Sequence, residues 1–270
     1  MKTWRFASWG LGVQSTWMII LSAIGELPPI DAAVVADTQW ERKKTQETLR
    51  FYKQWFEDRG IKVKVVTAGN IRELGAAAHI HIPFWTSDGG PLLRQCTNHF
   101  KIIPVKREMR RIAGFHESKP PHPKPGQFKN WVGFSWDEWD RMKRNRIKFI
   151  LNEYPLIEKK INRWDCEEGY LRMGLPVPVK SACIGCPYRD ATSWLDLKRN
   201  DLKEFQDAVR FDEENRHNPL AERDNSTADE LYVWRGCLPL RDIDFEKESK
   251  RQKKNTQIPL YVCKGKVCWT

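Results

Sequence analysis

The sequence lacks any long hydrophobic run. No stretch approaches the roughly 18 uncharged apolar residues that a membrane-spanning helix needs. The first residues, Met1-Lys-Thr-Trp-Arg-Phe, also lack the charged and then apolar profile of a secretory signal. We therefore expect a cytoplasmic protein that has no membrane partner.

The sequence does not lack core-forming residues. Hydrophobic residues make up 40% of the 270 positions and include 13 Trp and 12 Phe, which is too many for an intrinsically disordered chain. The 46 Lys and Arg exceed the 35 Asp and Glu, so the formal net charge is +11. This excess favours a phosphate-rich partner, either a nucleotide or a nucleic acid such as DNA or RNA.

Cysteine is present, but not as a disulfide framework. The seven cysteines cannot all pair with one another, and a reducing compartment keeps them as thiols. Clustered cysteines in such a chain indicate metal or redox chemistry. The clusters are Cys183-Ile-Gly-Cys186 and, nearer the C-terminus, Cys263 with Cys268. Cys166 and Cys237 stand apart, and we interpret them as small core residues.

The first third of the sequence alternates short apolar runs with helical stripes. This order predicts βαβ units, and hence an α/β fold with a parallel sheet. The predicted strands are Trp4–Ala7, Ala32–Ala36 and 61–65; the predicted helices are one around Trp17 that ends near Gly25 and one over Thr45–Arg59.

The rest of the sequence has a looser pattern, without an internal repeat or an obvious domain boundary. We predict one domain over 1–270, with a nucleotide-binding core over 1–115 and a helical, Cys-rich portion over 130–270. Within it we expect a mobile basic loop over Phe115–Lys129, helices over Asp137–Tyr154 and Asp201–Asn215, and a solvated connection over Glu246–Asn255.

The segment after the first predicted strand is rich in glycine and hydroxyl groups. It reads Ser8-Trp-Gly10-Leu-Gly12-Val-Gln-Ser15-Thr16. Glycine permits a tight turn, and the N-terminus of the following helix offers N–H groups to a phosphate. The Lys of a Walker A loop and the G-x-G-x-x-G spacing of a dinucleotide site are both missing. The segment predicts either an ordinary strand-to-helix turn or an anion site, and its place in the first βα turn favours the anion site.

This segment resembles the loop of the PP-loop, or adenine nucleotide alpha hydrolase-like, superfamily, and in particular of its PAPS reductase branch. That loop reads S-x-G-G-x-x-x-S, and Leu11 stands where a second glycine is usual. Asp37-Thr38-Gln39 is similar to the D-T-G of the family, with Gln39 in place of glycine. Three further matches are Arg94-Gln-Cys96-Thr97-x-x-x-Lys101-Ile-x-Pro104, Ser181-Ala-Cys183-Ile-Gly-Cys186-Pro-Tyr-Arg189 and Arg235-x-x-x-Pro239-Leu240.

The resemblance implies a Rossmann-like fold that binds ATP or an adenylyl sulfate. It implies that Ser8, Gly10, Gly12, Ser15 and Thr16 hold the phosphates and that Asp37 lies near the ribose or Mg²⁺. Lys101 and Arg189 lie in matching segments, so they are candidates for facing a phosphate or a cluster, and otherwise they are surface charges. Some relatives cleave ATP to AMP and pyrophosphate and then insert sulfur, whereas others reduce PAPS or APS.

The cysteine spacing is compatible with two kinds of metal centre. Cys183-x-x-Cys186 suits a shared metal, and with the C-terminal pair it could form a four-thiolate zinc site. The resemblance favours a [4Fe–4S] cluster instead, with Cys96 as a third ligand while Gln95 replaces a further cysteine of the family. The fourth ligand is then Cys263 or Cys268, or the fourth iron is left open for a hydrosulfide.

Three hypotheses for function follow. The first is a PP-loop ATP pyrophosphatase with an iron–sulfur cluster that transfers sulfur to a nucleic acid or nucleotide, with a sulfur donor such as a cysteine desulfurase as a partner. The second is reduction of PAPS or APS, although Val262 and Lys264 replace the Glu-Cys-Gly flanks of the reductases around Cys263. The third is a non-catalytic nucleic-acid-binding protein with structural zinc, which Leu11 and Gln39 favour.

Tryptophan is the remaining prominent feature. We expect most of the tryptophans in the second half to lie in the core or in interfaces, and a few to stack on adenine or on a nucleic-acid base. They are Trp131, Trp136, Trp139, Trp164, Trp194 and Trp234.

Overall fold

The computed structural model describes residues 2–77, 82–87, 90–116, 119–218 and 230–256. Their strands and helices are, in chain order, β1 Trp4–Ser8, α1 Val13–Ala23, β2 Ala32–Ala36, α2 Lys43–Glu57, β3 Val63–Val66, α3 Ile71–Ala77, β4 Trp85–Thr86, β5 Gly90–Pro91, a π-helical turn Asn98–Ile102, α4 Ile103–Ile112, β6 Phe128–Val132, a 3₁₀ helix Trp136–Arg141, β7 Ile150–Glu153, α5 Pro155–Glu158, α6 Arg163–Arg172, α7 Ala191–Asn200, α8 Leu202–Glu214, β8 Leu231–Tyr232, a 3₁₀ helix Leu240–Asp242 and α9 Phe245–Thr256.

The chain divides into two compact units. Unit 1 comprises Met1–Ile80 and Arg94–Cys183, and unit 2 comprises His81–Leu93 and Ile184–Thr270. Unit 1 holds a five-stranded sheet in the order β3-β2-β1-β6-β7, and every neighbouring pair in it is parallel. The predicted α/β fold with a parallel sheet and flanking helices is therefore confirmed.

Both faces of this sheet are covered because its strands are apolar on both sides, as expected for parallel strands. Ala33 and Val35 of β2 face a core formed with α1, α2 and α6. Ala32 and Val34 face the opposite way, toward α4. Cys166 is fully buried in the first of these two cores, as its isolated position in the sequence predicts.

Unit 2 is built differently. Its sheet has the order β5-β4-β8, and each strand has only two residues. Aromatic rings form much of its interior: Trp194 stacks on Phe245, with ring centroids 5.9 Å apart, and Phe84 stacks on Phe211 at 5.5 Å. Helix α8 agrees with the predicted helix over Asp201–Asn215 within one residue at each end.

Three predicted elements are wrong. The helix over Asp137–Tyr154 is a 3₁₀ helix followed by β7, because Ile150–Glu153 pairs with β6. The basic loop that begins at Phe115 ends before Phe128, since Phe128 and Lys129 belong to β6. The segment over Glu246–Asn255 is helical rather than a connection: it lies in α9, where Ser249 is hydrogen-bonded to Thr192 of α7.

Candidate functional site

The glycine-rich segment forms the turn between β1 and α1. The Gly10 N–H donates to the Ser15 hydroxyl at 3.2 Å, and that hydroxyl donates to the Gly12 carbonyl at 3.3 Å. The Ser8 hydroxyl donates to Asn130 Oδ1 at 2.7 Å, which ties the end of β1 to β6. The turn is therefore held by its own hydroxyl groups at the carboxyl end of the sheet.

Thr16 lies on the inner side of this turn. It is fully buried, and its hydroxyl accepts a hydrogen bond of 2.9 Å from the Trp9 indole. Of the hydroxyl groups predicted to hold phosphates, that of Thr16 therefore faces the core. Its contact with Trp9 fixes the first turn of α1.

Leu11 and Gln39 have unusual backbone angles. Their φ values are +60° and +57°, in the left-handed region that favours glycine. These are the two positions where the resembling family has glycine. A non-glycine residue in this conformation costs about 1–2 kcal/mol, and such strain concentrates at functional sites. Both turns therefore hold a residue with a side chain in a backbone conformation that glycine adopts without strain.

Gly133 fixes the position of the same turn from β6. A Cβ at Gly133 would lie 2.4 Å from Ser15 Cα and 2.7 Å from Ser15 N, which is closer than any side chain tolerates. The backbone after β6 can therefore approach the start of α1 only because residue 133 is glycine. The sequence gives no motif for this role.

A cavity of about 490 Å³ opens at the carboxyl ends of β1, β2 and β6. In the sheet, β1 and β6 are neighbours: β2 and β3 follow on one side of this pair, and β7 follows on the other. Open α/β sheets bind ligands at the carboxyl ends of the strands where the strand order reverses in this way. The turn contributes Ser8, Gly10 and Leu11 to the wall, and the cations there are Lys101, Lys106, Arg144 and Arg146.

Asparagine amides form one side of this cavity. Asn130 Nδ2 and Asn145 Nδ2 both donate to Asn152 Oδ1 at 3.1 Å. Lys106 Nζ lies 3.4 Å from Asn145 Oδ1, and burial lowers the pKa of Lys106. A partly desolvated ammonium group beside neutral amides gains from binding an anion, because little bulk water competes for its charge.

Asp37 lies directly after β2, at the same edge of the sheet. Its Oδ1 accepts hydrogen bonds from the Gln39 N–H at 2.8 Å and from Gln46 Nε2 at 3.1 Å. The first of these contacts supports the left-handed turn at Gln39. The preceding residue, Ala36, lines the cavity, so Asp37 lies next to a lining residue; its role near the ribose or Mg²⁺ stays a prediction.

Glu41 is the main site residue that the sequence does not reveal. Glu41 is 7% exposed and lines the cavity. Its Oε1 accepts from Lys101 Nζ at 3.0 Å, and its Oε2 accepts from the Ser181 hydroxyl at 3.0 Å. Three segments that are far apart in the sequence therefore meet at Glu41. Its only signal in the sequence is its position two residues after the D-T-Q motif.

Three of the four predicted metal ligands lie in the described residues. Cys183 is buried, with its sulfur 3.5 Å from the Thr38 hydroxyl, and residues 183 and 41 form a backbone bridge. Cys96 is half-buried just before the π-helical turn, and Cys186 is half-buried in unit 2. Cys263 lies outside the described residues, as does Cys268. No three His, Cys, Asp or Glu side chains of the described part are grouped to hold a metal ion.

Arg189 lies in unit 2 and is buried. Its Nη1 donates to the Ser193 hydroxyl at 2.8 Å, and its guanidinium group lies 5.1 Å from the ring centre of Trp194. Its backbone N–H donates to the Cys186 carbonyl at 3.0 Å. These contacts link the cysteine turn to the aromatic interior of unit 2.

Comparison with known proteins adds no assignment. No protein-family model matches the chain, and no curated protein is significantly similar to it. In the part of the chain that the structure describes, no helix has both the length and the apolar character needed to cross a membrane.

Proposed function

We propose that unit 1 is a Rossmann-like nucleotide-binding unit of the PP-loop type, which binds ATP and cleaves it to AMP and pyrophosphate to activate an acceptor for sulfur transfer. The observation that carries this proposal is the basic cavity at the carboxyl ends of β1, β2 and β6. Its volume of about 490 Å³ falls in the range of roughly 300–1,000 Å³ that is typical of small-molecule sites.

The loop geometry supports the phosphate part of the proposal. The turn after β1 leads into α1, whose first N–H groups carry partial positive charge and suit an anion. A Cβ at Gly12 would have no heavy atom within 4 Å, so there is open space beside the start of α1. Leu11 keeps the left-handed angle that a glycine would supply.

The reaction would need no protein nucleophile. An oxygen of the acceptor attacks the α-phosphorus of ATP, the bond from that phosphorus to the bridging oxygen breaks, and pyrophosphate leaves. The sulfur nucleophile from the donor then attacks the carbon of the resulting adenylate, and AMP leaves with the acceptor oxygen. The loop N–H groups, Lys101 and Lys106 would stabilise the charge that develops on pyrophosphate. Mg²⁺ bound to the nucleotide would neutralise part of the same charge, and Asp37 would be its ligand from the protein.

The metal centre remains a prediction from the resemblance. The described cysteines do not by themselves form a complete site for a [4Fe–4S] cluster or for zinc, so no step of the proposed reaction passes through one. Iron, sulfide and zinc analysis of anaerobically purified protein and of Cys183→Ala tests it. About four irons per chain, lost in the variant, would support the cluster, whereas about one zinc without sulfide would support a structural site.

Calorimetric titration with ATP and with α,β-methylene-ATP tests the nucleotide site. We expect both to bind, and Lys106→Met to weaken binding about tenfold, because a charged hydrogen bond is worth about 1.5–3 kcal/mol. The matched control is Lys62→Met, which removes an exposed lysine just before β3, at the opposite end of the sheet. Equal losses in both variants, or no binding at all, would contradict the proposal.

Two further readouts sharpen the test. The affinity should fall as the pH rises through the lowered pKa of Lys106, since only the charged ammonium group attracts phosphate, and Lys106→Met should flatten this profile. Pyrophosphate release should occur with ATP plus the acceptor and not with α,β-methylene-ATP, whose α–β bridge cannot be cleaved. PAPS that binds and is reduced while ATP does not bind would favour the reductase hypothesis.

A further inference from the structure

Two exposed tryptophans flank a cleft on the surface of unit 1. Trp136 is 45% exposed and Trp164 is 63% exposed. They come from different elements, the 3₁₀ helix Trp136–Arg141 and α6. Both line one open cleft of about 560 Å³, which we call the tryptophan cleft; its other lining residues are Asp137, Asn162, Arg163 and Glu167.

A basic segment continues directly from this cleft. Residues 141–148, which we call the basic strip, read Arg-Met-Lys-Arg-Asn-Arg-Ile-Lys, and all five of their cations are exposed. Arg141 is paired with Glu138 and lies over Phe134. Arg144 and Arg146 line the cavity at the carboxyl ends of β1, β2 and β6, which we call the nucleotide cavity. The 3₁₀ helix that joins the cleft to the strip spans only about 12 Å.

We propose that this surface binds a single-stranded nucleic acid and leads it to the nucleotide cavity. A base would stack in the tryptophan cleft, and the sugar-phosphate backbone would follow the basic strip. Stacking on aromatic side chains combined with a positively charged track is how proteins bind single strands without reading sequence. The role of the strand as the acceptor of the activated chemistry rests on the proposed function; the binding surface itself does not.

The charges favour a strand over an anionic membrane. Asp137 and Glu167 in the cleft wall are engaged, since Asp137 accepts from the Arg163 N–H and Glu167 accepts from Arg163 Nε. A membrane surface would press anionic headgroups against both the indoles and these two carboxylates, which would repel them. A neutral base in the cleft avoids this repulsion, while the phosphates lie on the strip.

The test is fluorescence anisotropy with a labelled single strand of mixed sequence, about 15 nucleotides long, as DNA and as RNA. We expect Trp136→Ala and Trp164→Ala each to weaken binding about tenfold, in line with the loss of one stacked base. The matched control is Phe51→Ala on α2, an aromatic side chain that is 44% exposed. Lys143→Gln with Lys148→Gln should reduce the slope of log K against log salt by about 1.4, because each phosphate contact contributes about 0.7.

Each other outcome overturns the proposal. No strand binding at low salt, equal losses in Phe51→Ala, or duplex bound as tightly as single strand would each exclude a stacking surface. Tighter binding to vesicles that contain phosphatidylserine than to the strand would assign the surface to a membrane instead. Titrating ATP and the strand separately into the parent protein separates the two proposals. Strand binding without ATP binding removes only the proposed function, and ATP binding without strand binding removes only this inference. Trp136→Ala should bind ATP as the parent protein does.

Discussion

Asp212 in unit 2 and Glu41 in unit 1 are both buried carboxylates, and they differ in the groups that donate to them. Asp212 accepts from the backbone N–H groups of Val233 at 2.7 Å and Leu240 at 3.0 Å, and it pairs with Arg216. Glu41 accepts from the side chains of Lys101 and Ser181. Backbone donors cannot turn away, so Asp212 locks three segments of unit 2 together.

The partners of Glu41 have more freedom. Lys101 is partly exposed and lines the cavity together with Glu41, so its ammonium group can turn to a bound anion. The strained angles at Leu11 and Gln39 lie in the two loops at the same edge of the sheet. Buried polar groups thus serve stability in unit 2, while in unit 1 they are gathered at one edge, where they can serve binding.

Asp212→Ala should have the largest effect on stability. Removing one partner of a buried ion pair costs about 3–5 kcal/mol, and here two backbone donors also lose their acceptor. Urea unfolding measures the loss in free energy of unfolding, and hydrogen exchange should show faster exchange of the Val233 and Leu240 amides. Asp207→Ala, which breaks an exposed pair with Arg210 on the same helix, should cost under about 0.5 kcal/mol. Similar losses in free energy of unfolding for Asp212→Ala and Asp207→Ala would mean that Asp212 has no special role in the stability of unit 2.

Gly133→Ala tests the close packing of the turn after β1 rather than the charges around the cavity. The added methyl group would overlap backbone atoms of Ser15, so we expect a loss of about 3 kcal/mol, at the upper end for overpacking, together with weaker ATP binding. Gly12→Ala is the contrast, because its φ of −95° suits alanine and nothing lies within 4 Å of the new atom. Alanine is the poorer N-cap, but it also lowers the entropy of the unfolded chain, so the net change in the free energy of unfolding should stay below about 0.5 kcal/mol. The ATP affinity should still fall.

Glu41→Gln should separate stability from binding. Glutamine keeps the size of the side chain and an acceptor oxygen, so we expect a loss of only about 1 kcal/mol, the difference between a charged and a neutral hydrogen bond. Because a negative charge leaves the cavity wall, the affinity for ATP should rise, by about fivefold. Glu47→Gln on the exposed side of α2 is the control and should change neither quantity. Weaker ATP binding in Glu41→Gln would mean that the carboxylate itself serves the nucleotide, through Mg²⁺.

The sequence-based predictions are accurate where residues close in the sequence determine the structure, and they fail where distant residues do. Strand β2 is predicted to the residue, because five consecutive apolar residues followed by Asp can hardly form anything else in an α/β chain. Strand β7 is missed, since Ile150–Glu153 becomes a strand only through its pairing with β6. Helix α9 is missed because its polar sequence has no apolar stripe, and contacts such as that of Gln252 with the Ala191 N–H hold it in place.

The residues of the candidate site likewise fall into those that the sequence reveals and those that it does not. The loop after β1 is recognisable because its residues are adjacent in sequence. Glu41 and Gly133 are not, because their partners are far along the chain: Ser181 is 140 residues from Glu41, and Gly133 acts on Ser15. Trp136 and Trp164 are exposed although most tryptophans were expected to be buried, and the sequence alone cannot tell which indoles the fold leaves at the surface.

Gln39→Gly is the smallest and most specific test of the contrast between the units. Gln39 is exposed, so its replacement removes little packing, and glycine relieves the left-handed strain at φ +57°. The relief of about 1–2 kcal/mol is partly offset by the greater freedom of glycine in the unfolded chain, worth about 0.4–1 kcal/mol, so urea unfolding should show a net gain of about 0.5 kcal/mol. The same change at Lys160, which also has a φ of +57° but lies between α5 and α6, should give a similar gain. ATP affinity then decides what the strain is for: if only Gln39→Gly alters it, the left-handed turn beside Asp37 is part of the binding site, and if neither does, the strain is a local property of the chain.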